Sequence, residues 1–350
     1  MKKTILYFYP SISSFIKKDI SYFEEEYSII KFGFLPKRKI YTLFLFIKQF
    51  LFLVFNTRKS NIIICKFASY LSLLPALFAK TFNKPFIIIN GGNDCVSFPS
   101  INYGNFNKYI LGKFTKWTYH LSSHIVTLHK ALIECEYSYQ DNDYKKQGFK
   151  CFCKNLNKPI TEIHNGYNAK KWFRDSEKIP KTFVSVAFNI GDEVINNLKG
   201  IDLIFEIAPE FPDCKFYLIG ANKEFIDKPK NIIFLPPLST SELRDFFSKT
   251  QFYFQLSLSE GFPNSLCEAM LCECIPIVSN VQAIPAIVDD TAFVLMKKNK
   301  NDLVELVNKA LNSDVSTLQQ KARNRIATEF TEEKRKEKLL TLINNLIKNK

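Results

Sequence analysis

None of the nine cysteines of this 350-residue chain forms a C-x-x-C pair, and their number is odd. Both facts argue against a disulfide framework or a zinc site and for reduced thiols. Cys151 and Cys153 form a lone C-x-C in a lysine-rich stretch, with no second pair to complete a tetrahedral site. The four histidines, His120, His124, His129 and His164, show no metal-ligand spacing, and His124 and His129 are expected to pack beside a strand. Asp141-Asn142-Asp143 has a D-x-D form but lies in a charged loop rather than after a buried strand, so no metal is expected. Repeats at solenoid periods are absent, as are the signatures of the common nucleic-acid-binding modules. The opening apolar run, Thr4–Pro10, is too short for a secretory core and reads as a first buried strand of a cytoplasmic chain. A second run, Ile40–Phe55, would be a helix about 24 Å long, short of the roughly 30 Å that a bilayer core demands.

What is present is an uneven charge. Residues 1–178 hold 27 Lys+Arg against 12 Asp+Glu, a net of +15, whereas residues 179–350 carry a net of −1. A general drift towards lysine would spread over both halves. The asymmetry instead predicts two domains with different partners, the first partner being anionic.

Short, continuously apolar runs alternate with helical stretches through both halves. Strands are expected at Thr4–Tyr9, Ser28–Phe32, Asn61–Cys65, Phe86–Asn90, His124–Leu128 and Glu162–His164. In the second half they fall at Thr182–Ala187, Lys215–Ile219, Ile232–Leu235, Phe252–Leu256, Ile275–Ser279 and Ala292–Leu295. Unbroken apolar strands suit parallel sheets covered on both faces, so each half reads as a doubly wound α/β domain. The linker is placed at Asp175–Lys181, dividing residues 1–178 from 179–330. Residues 331–350 form a lysine-rich last helix that would pack back towards the first domain.

The stretch "QLSLSEGFPNSLCEAMLCECIPIVSN" (255–280) carries the chemistry. Glu260 and Glu268 flank seven residues that include Gly, Pro, Asn and Ser. The pattern predicts a strand, a loop at its carboxyl end with Gly261 at a tight turn, and a helix from about Asn264, with Asn264 and Ser265 able to cap. Ligands of open α/β sheets sit at that edge, and the free N–H groups of a first helical turn favour an anion such as a pyrophosphate. Glu268 can accept hydrogen bonds from a diol, and Glu260 can reach a hydroxylated substrate.

The stretch "SEGFPNSLCEAMLCECIPIVSN" resembles the E-x7-E motif of the retaining, nucleotide-sugar-dependent glycosyltransferases of family 4, which have the GT-B fold. The segment "NLKGIDLIFEIAPEFPDCKFYLIG" (197–220) is similar to the family's phosphate-binding region. In the first half, "PFIIINGGNDCVSFPSINYG" (85–104), "SSHIVTLHKAL" (122–132) and "ITEIHNGYNAKKWF" (160–173) follow in family order. The resemblance implies two Rossmann-like domains facing a central cleft. It implies that Glu268 binds the donor ribose, that Glu260 contacts the transferred sugar and that Lys199, beside Gly200, neutralises the departing diphosphate. Amides around Gly261, Phe262, Asn264, Ser265 and Leu266 would meet the sugar and diphosphate, and Asp94 would face the reacting sugar. No cofactor or metal is implied.

Three departures stand out. The loop after the first strand reads Tyr9-Pro10-Ser11-Ile12-Ser13-Ser14 rather than Gly-Gly. No arginine precedes Lys199 between Phe188 and Asn197. Leu235-Pro236-Pro237-Leu238 stands where relatives often carry a glycine near the base.

The reading is therefore a transferase moving a sugar from a nucleotide-sugar donor to a glycan acceptor, one linked to lipid in surface polysaccharide or lipopolysaccharide synthesis. The chain would be cytoplasmic and peripheral on the inner face of the cell membrane. A nucleotide-sugar epimerase of the same fold fits the E-x7-E stretch less well, and a basic nucleic-acid-binding protein leaves that stretch without a role. Ile40–Phe55 could be a buried crossover helix between the second and third strands; the favoured expectation is that it lies in an anionic membrane interface through Tyr41, Phe44, Phe46 and Phe50, with Lys37, Arg38, Lys39, Arg58 and Lys59 on headgroups.

Overall fold

The computed structural model describes residues 2–35, 40–221 and 228–348. The first domain is a parallel sheet of β1 (Thr4–Tyr9), β2 (Ser28–Gly33), β3 (Ile62–Lys66), β4 (Phe86–Ile89), β5 (His124–Thr127) and β6 (Ile160–Glu162), in the order β2-β1-β3-β4-β5-β6. Among the described residues, the longer helices linking its strands are α1 (Ser14–Glu26), α2 (Tyr41–Asn56), α3 (Tyr70–Thr81) and α4 (Tyr109–Leu121).

A second parallel sheet follows, of β7 (Ile179–Ile190), β8 (Lys215–Ala221), β9 (Ile232–Leu235), β10 (Thr250–Gln255), β11 (Ile275–Ser279) and β12 (Phe293–Leu295), in the order β9-β8-β7-β10-β11-β12. Its helices include α5 (Glu193–Lys199), α6 (Ile201–Ile207), α7 (Thr240–Lys249), α8 (Asn264–Leu271), α9 (Ile284–Val288), α10 (Lys300–Leu311), α11 (Val315–Glu329) and α12 (Glu332–Lys348). Both halves are thus the doubly wound α/β layers expected.

The inner strands are unbroken apolar runs because helices cover both faces. All five residues of β3 and of β11 are buried. The sixth strand is set two residues earlier than its apolar character suggests. Ile163 and His164 lie past the strand end, where their carbonyls accept hydrogen bonds from Arg335. The stretch expected as a free linker is also occupied. Asp175 and Lys178 bond to Ser248, Phe247 and Cys272 of the second domain, and β7 already begins at Ile179.

α12 lies against α1, with Leu339, Leu340 and Ile343 in the same core as Ile16, Ile20 and Phe23. In the first turn of α12, Arg335 donates from Nε and Nη2 to the two Asp19 carboxylate oxygens at 2.9 and 3.0 Å. Its Nη1 reaches the Ile163 and His164 carbonyls at 3.3 and 2.8 Å. Asp19 is fully buried and Arg335 almost so. One guanidinium therefore holds α1, the chain crossing between domains and the last helix together.

Arg335→Ala is expected to cost about 3 to 5 kcal/mol in denaturant unfolding, because it strands the Asp19 charge in the core. The double variant Asp19→Leu with Arg335→Met should regain most of that loss. A double variant as unstable as the single one would show that the ion pair's charge balance is not what matters.

Candidate functional site

β10 and the loop after it are fixed from below. Ser279 Oγ donates to the Gln255 and Ser257 carbonyls at 3.2 and 2.7 Å, and the Glu260 amide donates to Gln282 Oε1 at 2.6 Å. The Leu258 amide bonds to the Leu198 carbonyl at 2.8 Å, which brings the end of α5 alongside. In that frame Lys199 Nζ meets Glu260 Oε1 at 2.5 Å. Gln255 Nε2 and Ser257 Oγ donate to the same oxygen at 3.0 and 2.9 Å. Lys199 and Glu260, 61 residues apart, thus form one half-buried pair at the carboxyl ends of the strands.

Gly200 caps α5 in the left-handed conformation, φ 68°. A Cβ there would lie 2.3 Å from the Leu256 carbonyl oxygen. Contact with the β10 strand end therefore requires a glycine here, whatever approaches from the cleft. Gly261 has the comparable constraint across the cleft. Its Cβ would fall 2.0 Å from the Gly91 carbonyl oxygen, and one on Gly92 would come within 3.0 Å of the Gly261 nitrogen. The two domains touch there backbone to backbone.

α8 begins at Asn264 as its sequence predicts, but neither Asn264 nor Ser265 caps it. Asn264 Oδ1 accepts from Asn165 Nδ2 and the Tyr167 hydroxyl, at 3.2 and 2.8 Å, and Ser265 Oγ from the Tyr253 hydroxyl at 2.7 Å. Leu266 is in the core. Phe262 is stacked against His164 with centroids 5.6 Å apart and packs edge-on to Phe330 at 5.3 Å. What this stretch offers a ligand is its backbone: the uncapped first turn of α8, whose N–H groups point out of the helix end. It lacks basic residues, and Leu266, Cys267, Ala269, Met270 and Leu271 are all buried, leaving Glu268 as the helix's one charged residue.

Glu268 faces a crevice of about 10 Å3 lined by Ser14, Phe15, Lys18, Asn165, Asn264 and Arg335. That is room for about one water. Burial pushes its carboxyl up to about 7, against the opposing pull of Lys18 and Lys171.

Asp94 does not face the cleft. It is buried, and its carboxylate accepts from the Ala68, Gly91 and Gly92 amides at 2.8, 3.0 and 3.2 Å and from the Tyr119 hydroxyl at 3.3 Å. Burial raises its pKa while those amides hold it back. It ties the loop after β3 to the loop after β4.

Lys66, at the end of β3, was not singled out by its sequence context. Its buried Nζ has no hydrogen-bond partner and lies 5.0 and 5.5 Å from the Phe15 and Phe67 ring centroids. Burial lowers its pKa to about 8, with Asp19 and Asp94 pulling upward and Arg335 downward. A lone lysine ending an apolar strand carries no signal in a chain this basic. The remaining candidates are structural: His124 bonds Thr161 at 2.8 Å, and Asp143 accepts from Ser100 Oγ at 2.6 Å. No group of His, Cys, Asp and Glu among the described residues could hold a metal ion.

Residues 189–333, which contain Lys199, Glu260, α8 and Glu268, match the family model of the glycosyl transferases group 1. Over 128 residues the chain is 28% identical to the GPI3 subunit of phosphatidylinositol N-acetylglucosaminyltransferase of Saccharomyces cerevisiae, a match spanning 33% of this chain and 28% of that protein. It is 23% identical over 194 residues to alpha-galactosylglucosyldiacylglycerol synthase of Streptococcus pneumoniae, spanning 50% of this chain and 52% of that one. The matches thus span about half or less of these relatives. Whole-chain likeness appears in structure. Sucrose-phosphate synthase from Thermosynechococcus elongatus superposes with a TM-score of 0.75 at 13% identity, covering all of both chains. HepE of Anabaena, solved with UDP and glucose, superposes at 0.70 and 11% identity, covering 97% of this chain and 99% of that one. The fold is that of the GT-B glycosyltransferases.

The Glu268 carboxyl binds its proton more tightly in the folded chain than in an unfolded one. Its protonation therefore supports the fold below about pH 4.5, and that support is lost as pH rises through about 7. Glu268→Gln should remove this dependence. Between pH 4.5 and 8, the stability of the variant relative to wild type is expected to rise by up to about 3 kcal/mol. Parallel pH–stability curves for the two proteins would place the carboxylate in water rather than in the crevice.

Proposed function

We propose that the protein transfers a sugar, with retention of anomeric configuration, from a nucleotide-sugar donor to a lipid-linked glycan acceptor in surface polysaccharide or lipopolysaccharide synthesis. The observation that carries this is the Lys199–Glu260 pair standing beside the uncapped start of α8 in a group 1 domain, with Glu268 one turn further along. A diphosphate at the α8 N-terminus would meet backbone N–H groups and the Lys199 ammonium together, the charge arrangement that stabilises a departing anion. Lys199 would then exchange its Glu260 contact for the diphosphate and free that carboxylate for the sugar hydroxyls. Glu268 would take the ribose. Its crevice is too small for a ribose as it stands, so donor entry requires the α1 side to move away from α8. No metal takes part in this reading.

The acceptor would come from the first domain and the membrane. α2 has only Gln49 and Leu53 fully buried, while Tyr41, Leu43, Phe44, Ile47, Phe50 and Phe55 are exposed. A buried crossover helix is thereby excluded. Phe46, expected in the interface, instead turns inward against Phe34 at 5.0 Å. Lys37, Arg38 and Lys39 lie outside the described residues. No helix among the described residues is long and apolar enough to cross a membrane. An exposed apolar helix on a half of net charge +15 suits peripheral binding to an anionic bilayer, on the cytoplasmic side where nucleotide sugars are available. Nucleic acid is not the partner in this reading.

Two measurements test it. Glu268→Ala should weaken nucleoside-diphosphate binding in titration calorimetry, and Lys199→Ala should lower turnover roughly a hundredfold or more. Unchanged binding and turnover in both variants would remove the site. For the membrane, the protein should sediment with anionic liposomes at low salt and partly release at high salt. Replacing Lys37, Arg38 and Lys39 with Gln should loosen that binding without unfolding the protein. Equal partitioning of wild type and variant at every salt concentration would count against the interfacial helix.

A further inference from the structure

Behind the exposed face of α2 the first domain is grooved. Between α2 and α4 runs an apolar groove of about 650 Å3 bordered by Thr42, Phe46, Tyr70, Leu111 and Phe114. It continues, past the shared side chains Phe46, Tyr70 and Phe114, into a second apolar space of about 390 Å3 between α2 and α3. Each volume is in the range of a small-molecule site, yet neither offers the convergent polar groups that orient a polar ligand. An unfilled apolar channel of this size on a monomer marks a surface meant to be covered by something apolar.

Two features say what covers it. The first is its direction. Tyr70 is the first residue of α3 and follows the Ala68-Ser69 turn, where the Ala68 amide bonds Asp94 Oδ2 at 2.8 Å. Asp94 in turn holds the Gly91–Gly92 loop, which touches Gly261 next to Glu260. The groove wall at Tyr70 is therefore linked through Asp94 to the loop that meets Gly261, and the second space reaches the flank of α2 at Ile47 and Phe50. The second is charge. Lys108 borders the mouth, and Lys113 Nζ lies 4.1 Å from the Tyr109 ring centroid, a pair of cations beside an otherwise apolar channel. A hydrocarbon chain with an anionic linkage at one end matches both the lining and the mouth.

We propose that this groove holds the hydrocarbon chain of the acceptor lipid, with Lys108 and Lys113 on its anionic linkage, so that the chain's head is delivered to the cleft. The proposal rests on the transferase reading for what the head does there, but the groove's ligand class can be measured without it. Burial of each methylene contributes roughly 0.8 kcal/mol, so affinity should climb steeply with chain length.

The test is calorimetric titration of the full chain with dodecyl phosphate and butyl phosphate, below micelle-forming concentrations and without nucleotide sugar. Dodecyl phosphate should bind one to one and at least a hundredfold more tightly than butyl phosphate. Thr42→Trp, at the half-exposed rim of the channel, should weaken dodecyl phosphate at least tenfold while leaving liposome sedimentation unchanged. The outward-face double variant Leu43→Ser with Phe55→Ser should do the reverse. Chain-length-independent binding would overturn the proposal, as would equal weakening by the rim and outward-face variants. Failure of nucleoside-diphosphate binding, by contrast, would count against the transferase reading and leave these titrations standing.

Discussion

The contact on which the molecule depends is the buried ion pair of Arg335 and Asp19. Two domains built on separate sheets need something to set their relative position, and short apolar contacts alone would let them slide. The guanidinium is planar and its donors are fixed, so a bidentate carboxylate and two backbone carbonyls can be satisfied in one arrangement only. Because those acceptors belong to α1 and to the crossing after β6, while Arg335 belongs to the last helix, the pair couples both ends of the chain to its middle. Little charge is left uncompensated, and the specificity comes from geometry rather than net energy.

From this clasp the cleft follows. With α1 held down, Phe15 and Lys18 lean over α8, and the space at Glu268 shrinks to about 10 Å3. The price is a carboxyl group whose ionisation is resisted near neutral pH. On the other side of the cleft the limit is steric: Gly261 against Gly91 and Gly92 admits no side chain. Between these two closures lies the Lys199–Glu260 pair, prepaired and half-buried. An arriving anion would therefore exchange partners with an existing contact rather than order a free lysine from solvent.

The first domain exposes apolar side chains on α2, whereas the second presents a paired charge at its strand ends. The aromatic residues of α2 divide between an inward set, Phe46 and Phe52, and an outward set, Tyr41, Phe44, Phe50 and Phe55. A helix apolar on every face has no polar side to give to water, so one of its faces needs a non-aqueous neighbour. The proposal of an anionic lipid surface rests on the basic excess of the same half.

Much of the fold was written in local sequence. Continuous apolar runs such as Ile62–Lys66 and Ile275–Ser279 marked buried parallel strands, and Gly261, Pro263 and the apolar residues after them placed the start of α8 at Asn264, because strand burial and helix entry depend on neighbours within a few positions. What the tertiary structure alone decided is where side chains point. Asp94 turned inward because the Ala68 amide, 26 residues away, was there to receive it. Gly200 proved necessary because of Leu256, and Asn264 was taken by Asn165 and Tyr167 rather than by its own helix. The unpaired Lys66 and the Arg335–Asp19 clasp, 316 residues apart in the chain, were invisible beforehand. Local chemistry fixes an element, but a partner brought by the fold fixes a side chain's task.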